Sequence, residues 1–240
     1  LFLSINRVYE PITTKVVKRE IKKGDVVLDI GAHIGYYTLI FAKNVGNSGK
    51  VYAFEPEPHN FQLLLKNVEY NGYTNVVALQ KAVSNKTGKI RLYLSDDYSV
   101  DHSIFSSSGR GKFIEVDSIS LDDYFKNQKV DFIKMDIQGG EGLAFEGMKS
   151  LLNRNRTIKI LFEFWPAALQ ESGTDHAQLL KWLLKRGFKF MYEINEKKKK
   201  ITQIKLDKFL KMYPLESASN ILCMRKNEIQ FPLATLYRES

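Results

Sequence analysis

The chain has 240 residues, of which 44% are hydrophobic and 12% aromatic, and its formal net charge is +9 at pH 7. That length suits one substantial α/β core, and a single cysteine, Cys223, excludes an internal disulfide and a multi-cysteine zinc site. No apolar run approaches the roughly 20 residues of a membrane-spanning helix, and the start LFLSINRVYE lacks the apolar region of a secretory signal. We therefore expect a cytoplasmic protein without a membrane span, whose positive charge favours an anionic partner.

Strand-like and helix-like segments alternate along the chain, which is typical of βαβ units and a mainly parallel sheet. A leading helix up to about residue 20 precedes the first strand, Val26–Ile30. The next predicted elements are a helix over 35–45, a strand over Lys50–Phe54, a helix over 59–70, a strand over 75–80 and an antiparallel strand over 89–94.

The alternation resumes after a polar stretch over 95–111. It gives a strand over 113–116, a helix capped by Ser120, a strand over 130–137, a helix over 141–152, a strand over 158–164, a helix over 175–186 and strands over 188–194 and 220–224. Four lysines at 197–200 are expected to form a solvated turn. The prediction is a single Rossmann-like α/β fold, with a helical lead-in over 1–20 and a domain over 21–240. Its doubly wound, mainly parallel seven-stranded sheet has an antiparallel closing strand and helices on both faces.

A glycine turn follows the first predicted strand, within the run DVVLDIGAHIG. Gly31 allows the backbone to pass close beneath a ligand, and Gly35 allows the next helix to begin near the strand. Glu55 stands at the tip of the second strand, where a carboxylate can accept hydrogen bonds from both hydroxyls of a ribose. Together these positions predict an adenosine-containing ligand at the carboxyl edge of the sheet.

Two cofactors satisfy that geometry. A dinucleotide enzyme uses G-x-G-x-x-G to hold a pyrophosphate, but here His33 and Tyr36 occupy the second and third glycine positions. S-adenosylmethionine has no phosphate and needs an acidic residue such as Asp29 near its amino-acid end. The departure from the dinucleotide pattern therefore favours S-adenosylmethionine, with a ligand-free α/β domain as the alternative.

Six sequence blocks run in series between residues 24 and 226: VVLDIGAHIGYYTL, AFEPEPHNFQLLLKNVEYNG, KAVSNKTGKI, DSISLDDYF, VDFIKMDIQGGEGLAFEGM and NILCMRK. In this order they resemble the FkbM-type family of S-adenosylmethionine-dependent methyltransferases. The resemblance implies a class I Rossmann-like fold, S-adenosylmethionine as cofactor and methyl transfer to an oxygen. With the glycine turn, it gives these candidate cofactor-binding residues: Asp29, Gly31, His33, Gly35, Glu55, Pro56, Ala82 and Val83.

The family's acidic block, commonly Asp-x-Glu-Gly-x-Glu, falls on residues 136–141, where Gln138 replaces the middle glutamate. Asp136 ends a predicted strand and would face the cofactor sulfonium. Glu141 opens the next helix, where it serves either in catalysis or as a cap. His102, in the polar stretch, is a further candidate for the general base, because the ordinary pKa of histidine suits proton transfer near neutral pH. Its alternative is a solvated loop histidine.

Glu163 and Trp165, at the end of the strand over 158–164, are candidate acceptor-binding residues, although the indole ring also fits a packing role. No metal is assigned. A magnesium site could use the carboxylates of Asp136, Glu141 and Glu163, but the sequence does not establish the distances between them.

The leading hypothesis is an S-adenosylmethionine-dependent O-methyltransferase acting on a sugar or small-molecule hydroxyl in glycan or natural-product biosynthesis. A nucleic-acid methyltransferase is the second hypothesis, because of the +9 charge. The sequence Asp136-Ile-Gln-Gly differs from the Asn/Asp-Pro-Pro-Tyr/Phe block of amino-directed base enzymes, which argues against an amine target. The third hypothesis is a non-catalytic binding domain that retains the fold. The oligomeric state is open.

Overall fold

The computed structural model describes residues 8–94, 103–105 and 112–227. In these residues the helices are α1 (Pro11–Glu20), α2 (Tyr36–Val45), α3 (Pro58–Tyr70), α4 (Leu121–Tyr124), α5 (Glu141–Glu146), α6 (Lys149–Arg154), α7 (Pro166–Glu171), α8 (His176–Lys185) and α9 (Leu206–Met212). The strands are β1 (Val26–Ile30), β2 (Lys50–Phe54), β3 (Val76–Leu79), β4 (Ala82–Val83), β5 (Gly88–Tyr93), β6 (Phe113–Ile119), β7 (Phe132–Met135), β8 (Lys159–Phe164), β9 (Phe190–Asn195), β10 (Lys200–Gln203) and β11 (Ser219–Met224).

The main sheet has the strand order β10-β9-β11-β8-β7-β1-β2-β3. Strands β1, β2, β3, β7 and β8 pair in parallel, and β11 runs antiparallel between β8 and β9. This confirms the predicted doubly wound sheet with an antiparallel closing strand. The chain builds outward from β1 on one side and returns to its other side with β7, so the two directions diverge between β1 and β7. In open α/β sheets ligands bind at the carboxyl ends of the strands at such a switch point.

The described part of the main sheet has eight strands instead of the predicted seven. The additional strand, β10, forms a hairpin with β9, and its first residue is Lys200. The other three lysines of the run lie in the turn of this hairpin, as expected for a solvated turn.

The antiparallel strand predicted over 89–94 is confirmed as β5, but it does not join the main sheet. Strand β5 pairs antiparallel with β6, and β4 pairs in parallel with β6, so these three strands form a separate sheet. The small sheet has its own apolar cluster, which includes Ala82, Leu92 and Val116. Because the pairing continues as far as Gly88 opposite Ser118, β6 also runs beyond its predicted end at residue 116.

Side chains alternate between the two faces of the sheet along each strand, and apolar side chains are buried on both faces. Leu28 and Ile133 belong to one apolar cluster, which includes residues of α4 to α6 and α8. Val27 and Phe132, one residue earlier in each strand, belong to a second cluster with α1 and α2. Helices therefore cover both faces, as predicted. None of the helices in the described residues has the length and apolar composition needed to cross a bilayer.

The helix predicted over 141–152 is divided at Gly147 into α5 and α6. A Cβ atom at Gly147 would lie 2.1 Å from the carbonyl oxygen of Ser84, so the chain makes a close backbone approach there. Ser120 precedes α4 as predicted, but its hydroxyl does not cap the helix and donates instead to the carbonyl of Gly147 (3.0 Å). Helices α7, which begins at Pro166, and α9 were not predicted from the sequence.

Candidate cofactor and acceptor site

A cavity of about 850 Å³ opens at the carboxyl ends of the strands on either side of the switch point. Gly31 at the end of β1 and Glu55 at the end of β2 both line it, so the two positions on which the sequence argument depends share one cavity. The other predicted site residues that line it are Asp29, His33, Pro56, Ala82, Val83, Asp136, Glu163 and Trp165. Gly35 and Glu141 are not in its lining, and His102 lies outside the described residues.

Gly31 makes the bend that opens the cavity, with a φ of +79°. A Cβ atom there would lie 1.9 Å from the carbonyl oxygen of Asp136, at the end of the neighbouring β7. The glycine is thus required by the approach of two strand ends as well as by the cavity. Gly35 has a different role, because its added Cβ would meet Leu64 Cδ1 at 2.7 Å, in the contact between the start of α2 and α3.

Replacement of Gly31 by alanine is expected to lower the melting temperature and to abolish ligand binding in the cavity. The strained φ and the clash with a backbone oxygen act together, and neither can be relieved by rotating a side chain. Gly72→Ala is the matched control, since Gly72 also has a positive φ (+68°) but nothing lies within 4 Å of its added Cβ. Thermal denaturation should show a clearly larger decrease in melting temperature for Gly31→Ala than for Gly72→Ala. Equal decreases would contradict the proposed packing.

Glu55 is 6% exposed, and two backbone N–H groups fix its carboxylate. His33 donates to Oε2 (2.8 Å) and Glu57 donates to Oε1 (2.9 Å). Burial raises the pKa of Glu55 to about 7, although both hydrogen bonds act to lower it. Since each carboxylate oxygen has a further lone pair, the oriented group retains the capacity to accept two hydroxyl donors from a ligand.

Asp29 is fully buried at the cavity wall, and burial raises its pKa. Its Oδ2 atom accepts a hydrogen bond from Thr38 Oγ1 (2.5 Å), whereas Oδ1 has no hydrogen-bond partner among the described residues. A buried acceptor left without a donor costs about 1–3 kcal/mol, so a ligand that supplies an N–H group there would be favoured.

Lys134 is a site residue that the sequence analysis missed. It lies on β7 directly beside Asp29 in the strand register, and its side chain is only 4% exposed. Its ammonium group lies 3.1 Å from Asp136 Oδ2 and 4.8 Å from the ring centroid of Tyr37. Burial lowers the pKa of Lys134, but the carboxylates of Asp136, Asp29 and Glu10 outweigh it, so the net pKa is raised. The signal in the sequence was a lysine inside a buried strand, two residues before an aspartate on the same face.

The end of β8 supplies the other wall of the cavity. Glu163 accepts a hydrogen bond from Gln138 Nε2 (3.1 Å), and the same nitrogen donates to Asp136 Oδ1 (3.2 Å). Trp165 also lines the cavity, and its buried Nε1 has no hydrogen-bond partner among the described residues. This wall therefore combines two carboxylates, an amide and a free indole donor around one space.

Glu141 is 1% exposed, and its Oε1 accepts a hydrogen bond from the backbone N–H of Ile137 (3.1 Å). Burial raises its pKa to about 7. Of the two roles considered for this residue, the contacts favour the structural one, in which it holds the turn between β7 and α5.

The raised pKa of Glu141 predicts how stability depends on pH. The folded state binds the proton more tightly than the unfolded state, whose pKa is near 4.5, so the free energy of unfolding should fall as pH rises from about 4.5 to about 7. The expected fall in the free energy of unfolding over this range is about 3 kcal/mol, and Glu141→Gln should remove it. Urea denaturation at both ends of this range measures it, with Glu115→Gln, whose side chain is 63% exposed, as control. The same pH dependence in Glu141→Gln and wild type would contradict the assignment.

Further lining residues come from segments that were not predicted to contribute to the site. Val8, Tyr9 and Glu10 precede α1, Lys197 lies in the β9–β10 turn, and Glu216 and Ala218 precede β11. The ring of Tyr9 packs edge-on against Tyr36 at 5.7 Å between centroids. Glu10 accepts hydrogen bonds from Tyr37 Oη (2.6 Å) and Asn220 Nδ2 (3.0 Å). These residues form the wall beyond β7 and β8, remote in sequence from the glycine turn.

The described residues contain no group of three or more histidine, cysteine, aspartate or glutamate side chains arranged to hold a metal ion.

The strand order and the cavity at the switch point define a Rossmann-like α/β domain. A family model described as the methyltransferase FkbM domain matches residues 29–190, and the chain belongs to this family of S-adenosylmethionine-dependent methyltransferases. The matched range contains the glycine turn, Glu55, the acidic block and Trp165. It does not contain the lining residues at 8–10 and 197–218.

Curated relatives are methyltransferases with different acceptors. The chain is 31% identical over 147 residues to a probable cobalt-precorrin-6B C(15)-methyltransferase (decarboxylating) of Saccharolobus solfataricus, an alignment that covers 55% of this chain and 73% of that protein. It is 37% identical over 60 residues to protein-L-isoaspartate O-methyltransferase of Methanococcoides burtonii, covering 25% of this chain and 30% of that protein.

Solved structures show the same fold. A methyltransferase FkbM from Methylobacillus flagellatus superposes with a TM-score of 0.53 at 15% identity, covering 85% of this chain and 44% of the other. A putative rRNA methylase from Clostridium thermocellum superposes with a TM-score of 0.54 at 12% identity, covering 92% of this chain and 99% of the other. The chain thus spans less than half the length of the FkbM protein.

Proposed function

We propose that this domain transfers the methyl group of S-adenosylmethionine to an oxygen atom, on a sugar or small-molecule hydroxyl. The observation that carries the proposal is that one cavity is lined both by Glu55, which we assign to the ribose, and by Asp136 and Glu163, which we assign to the acceptor. The adenosyl half and the acceptor half of the reaction each have suitable groups in one space.

The cofactor half fits S-adenosylmethionine in three respects. Glu55, fixed by two backbone N–H groups, would accept the ribose hydroxyls. The unpartnered Oδ1 of Asp29 would accept a hydrogen bond from the cofactor's amino group. The strand β4, with Ala82 and Val83 both buried at the cavity wall, would contact the adenine. When bound, the cofactor supplies an electrophilic methyl group.

The acceptor half favours a hydroxyl. A sugar hydroxyl is a weak nucleophile near neutral pH and needs a base to remove its proton. Asp136 and Glu163 are carboxylates at the cavity wall, and Trp165 offers an aromatic surface and an indole donor. Holding the acceptor oxygen beside the methyl group is itself a large part of catalysis, because a reaction between two molecules becomes one within a single complex.

The charge of the cavity argues against a nucleic-acid acceptor, although the whole chain is basic. Acidic lining residues outnumber the lysines: they are Glu10, Asp29, Glu55, Asp136, Glu163 and Glu216, against Lys81, Lys134 and Lys197. Phosphate backbones bind to clustered basic side chains, and an acidic cavity would repel them. The net charge of +9 favours a nucleic-acid acceptor, so this alternative requires a direct test.

Calorimetric titration and turnover test the proposal together. We expect S-adenosylhomocysteine to bind with a micromolar dissociation constant, and a panel of sugars and lipid-linked acceptors to yield a product methylated on oxygen. Failure of the folded protein to bind S-adenosylhomocysteine would overturn the cofactor assignment. A product methylated on nitrogen or carbon would overturn the acceptor assignment. Gel shifts with mixed RNA should show no complex, and a complex that weakens steeply with salt would favour the nucleic-acid alternative.

A further inference from the structure

The side chain of Gln138 lies between the two acceptor-side carboxylates. Its Nε2 atom is 3.2 Å from Asp136 Oδ1 and 3.1 Å from Glu163 Oε2. A primary amide nitrogen carries two hydrogens, so one –NH2 group can donate to both carboxylates at once. A carboxylate at this position would have no hydrogen to donate and would add a third negative charge.

The backbone holds this amide in place. Gln138 has a φ of +52°, a left-handed conformation that is uncommon for a residue other than glycine. Its carbonyl oxygen accepts a hydrogen bond from the hydroxyl of Ser103 (3.0 Å), a buried residue that pairs with Tyr93 at the end of β5. The small sheet therefore anchors the turn that carries Gln138.

The two bridged carboxylates have different surroundings. Asp136 has the buried ammonium of Lys134 at 3.1 Å, whereas Glu163 forms no salt bridge within 4 Å among the described residues. Charged groups face Glu163 from several elements: Lys134 from β7, Asp136 from the residue that follows β7, Glu141 from α5 and Glu10 from the segment before α1. Burial, followed by Asp136 and Glu141, raises the pKa of Glu163, and Lys134 opposes this. Asp136 is thus neutralised by a neighbouring cation, whereas the carboxylate of Glu163 has no such partner among the described residues.

We propose that Glu163 accepts the proton of the acceptor hydroxyl, and that Gln138 is a positioning residue that aims Glu163 by tying it to Asp136. The inference rests on the methyl transfer proposed above. The acceptor O–H bond breaks and its proton passes to a carboxylate oxygen of Glu163, while the acceptor oxygen forms a bond to the methyl carbon. The bond between methyl and sulfur breaks, and its electron pair stays on sulfur, which leaves S-adenosylhomocysteine. Asp136 remains paired with Lys134 throughout.

Titration of the carboxyl groups tests this in the full chain without a methyl acceptor. Glutamate labelled with ¹³C at the side-chain carboxyl is followed by NMR from acid to alkaline pH, and Glu163→Gln identifies the Glu163 resonance. We expect that resonance to titrate well above the ordinary midpoint of about 4.3. Gln138→Leu removes the donor and should raise the midpoint by about one pH unit, and Gln138→Glu should raise it further by adding a like charge. Gln178→Glu adds a carboxylate on the exposed start of α8 and should leave it unchanged.

An ordinary midpoint for Glu163, or one that neither Gln138 variant moves, would overturn the inference even if methyl transfer is demonstrated. With an acceptor from the turnover panel, Glu163→Gln should lower kcat by at least about 100-fold. Its affinity for S-adenosylhomocysteine should stay within about threefold of wild type. A change of about threefold corresponds to less free energy than one hydrogen bond contributes. Undiminished kcat would also overturn the inference. Loss of binding in the unsubstituted protein would instead overturn the proposed function, so the two failures are distinguishable.

Discussion

Replacing Glu55 by alanine is expected to weaken the binding of S-adenosylhomocysteine by at least about 100-fold, because two hydrogen bonds from ribose hydroxyls to a charged acceptor are lost. The carboxylate is buried, and the backbone N–H groups of His33 and Glu57 already orient it in the free protein. Calorimetric titration measures the loss directly. A change of about threefold in affinity corresponds to less free energy than one such hydrogen bond contributes. An affinity within about threefold of wild type would therefore mean that the ribose is bound elsewhere.

The pH dependence of binding provides a control for Glu55. Its pKa of about 7 in the free protein means that the carboxyl group is partly protonated at neutral pH, and hydroxyl donors favour the ionised form. Affinity in the wild type should therefore rise between about pH 6 and pH 8. Glu55→Gln, which cannot ionise, should lack that rise. Glu115→Ala removes an exposed carboxylate and should leave affinity unchanged.

Replacing Lys134 by methionine is expected to cost about 3–5 kcal/mol of folding free energy, because a buried ion pair loses one partner. Asp136 loses the ammonium group at 3.1 Å, and the carboxylates of Asp29 and Glu10 lose its favourable field. Asp29 and Glu10, whose pKa values burial already raises, should then protonate more readily. The destabilisation should therefore shrink as pH falls, and chemical denaturation at neutral and acid pH measures it.

Two further variants test whether the destabilisation comes from the buried ion pair or would follow from replacing any lysine. Lys129 pairs with Asp131, but its own side chain is 70% exposed to solvent, so Lys129→Met should change stability by less than about 1 kcal/mol. Combining Lys134→Met with Asp136→Asn replaces the pair by neutral groups and should recover part of the loss. Equal costs for Lys134→Met and Lys129→Met would show that the buried pair contributes nothing.

The cofactor half of the site could be predicted because its determinants are local. Gly31 and Glu55 end adjacent parallel strands, β1 and β2, and such ends meet at one edge of the sheet. The alternation of strands and helices fixed that adjacency without any knowledge of distant contacts. The position of Gly35 in the turn was also predicted, but its contact is with Leu64 and not with the cavity.

The acceptor half could be predicted only in part. Asp136, Glu163 and Trp165 end predicted strands, whereas Tyr9 and Lys197 reach the same cavity from opposite ends of the chain. A sequence pattern of period two or 3.6 carries no information about such long-range approaches. The division of the helix at Gly147 has the same origin, since the cause is the carbonyl of Ser84 in another element.

Lys134 and Gln138 show a different difficulty. Each departs from a simple expectation, a lysine inside a buried strand and an amide where the family commonly has a carboxylate. The sequence indicates that such residues need partners but does not name them. Their partners, Asp136 and Glu163, become evident only when the ends of β7 and β8 are placed side by side.

A crystal structure of the complex with S-adenosylhomocysteine tests the account most directly. It should place both ribose hydroxyls within hydrogen-bond distance of the Glu55 carboxylate, and the sulfur on the side of the cavity that faces Asp136 and Glu163. Ligand bound outside this cavity, or a ribose without contact to Glu55, would contradict the account.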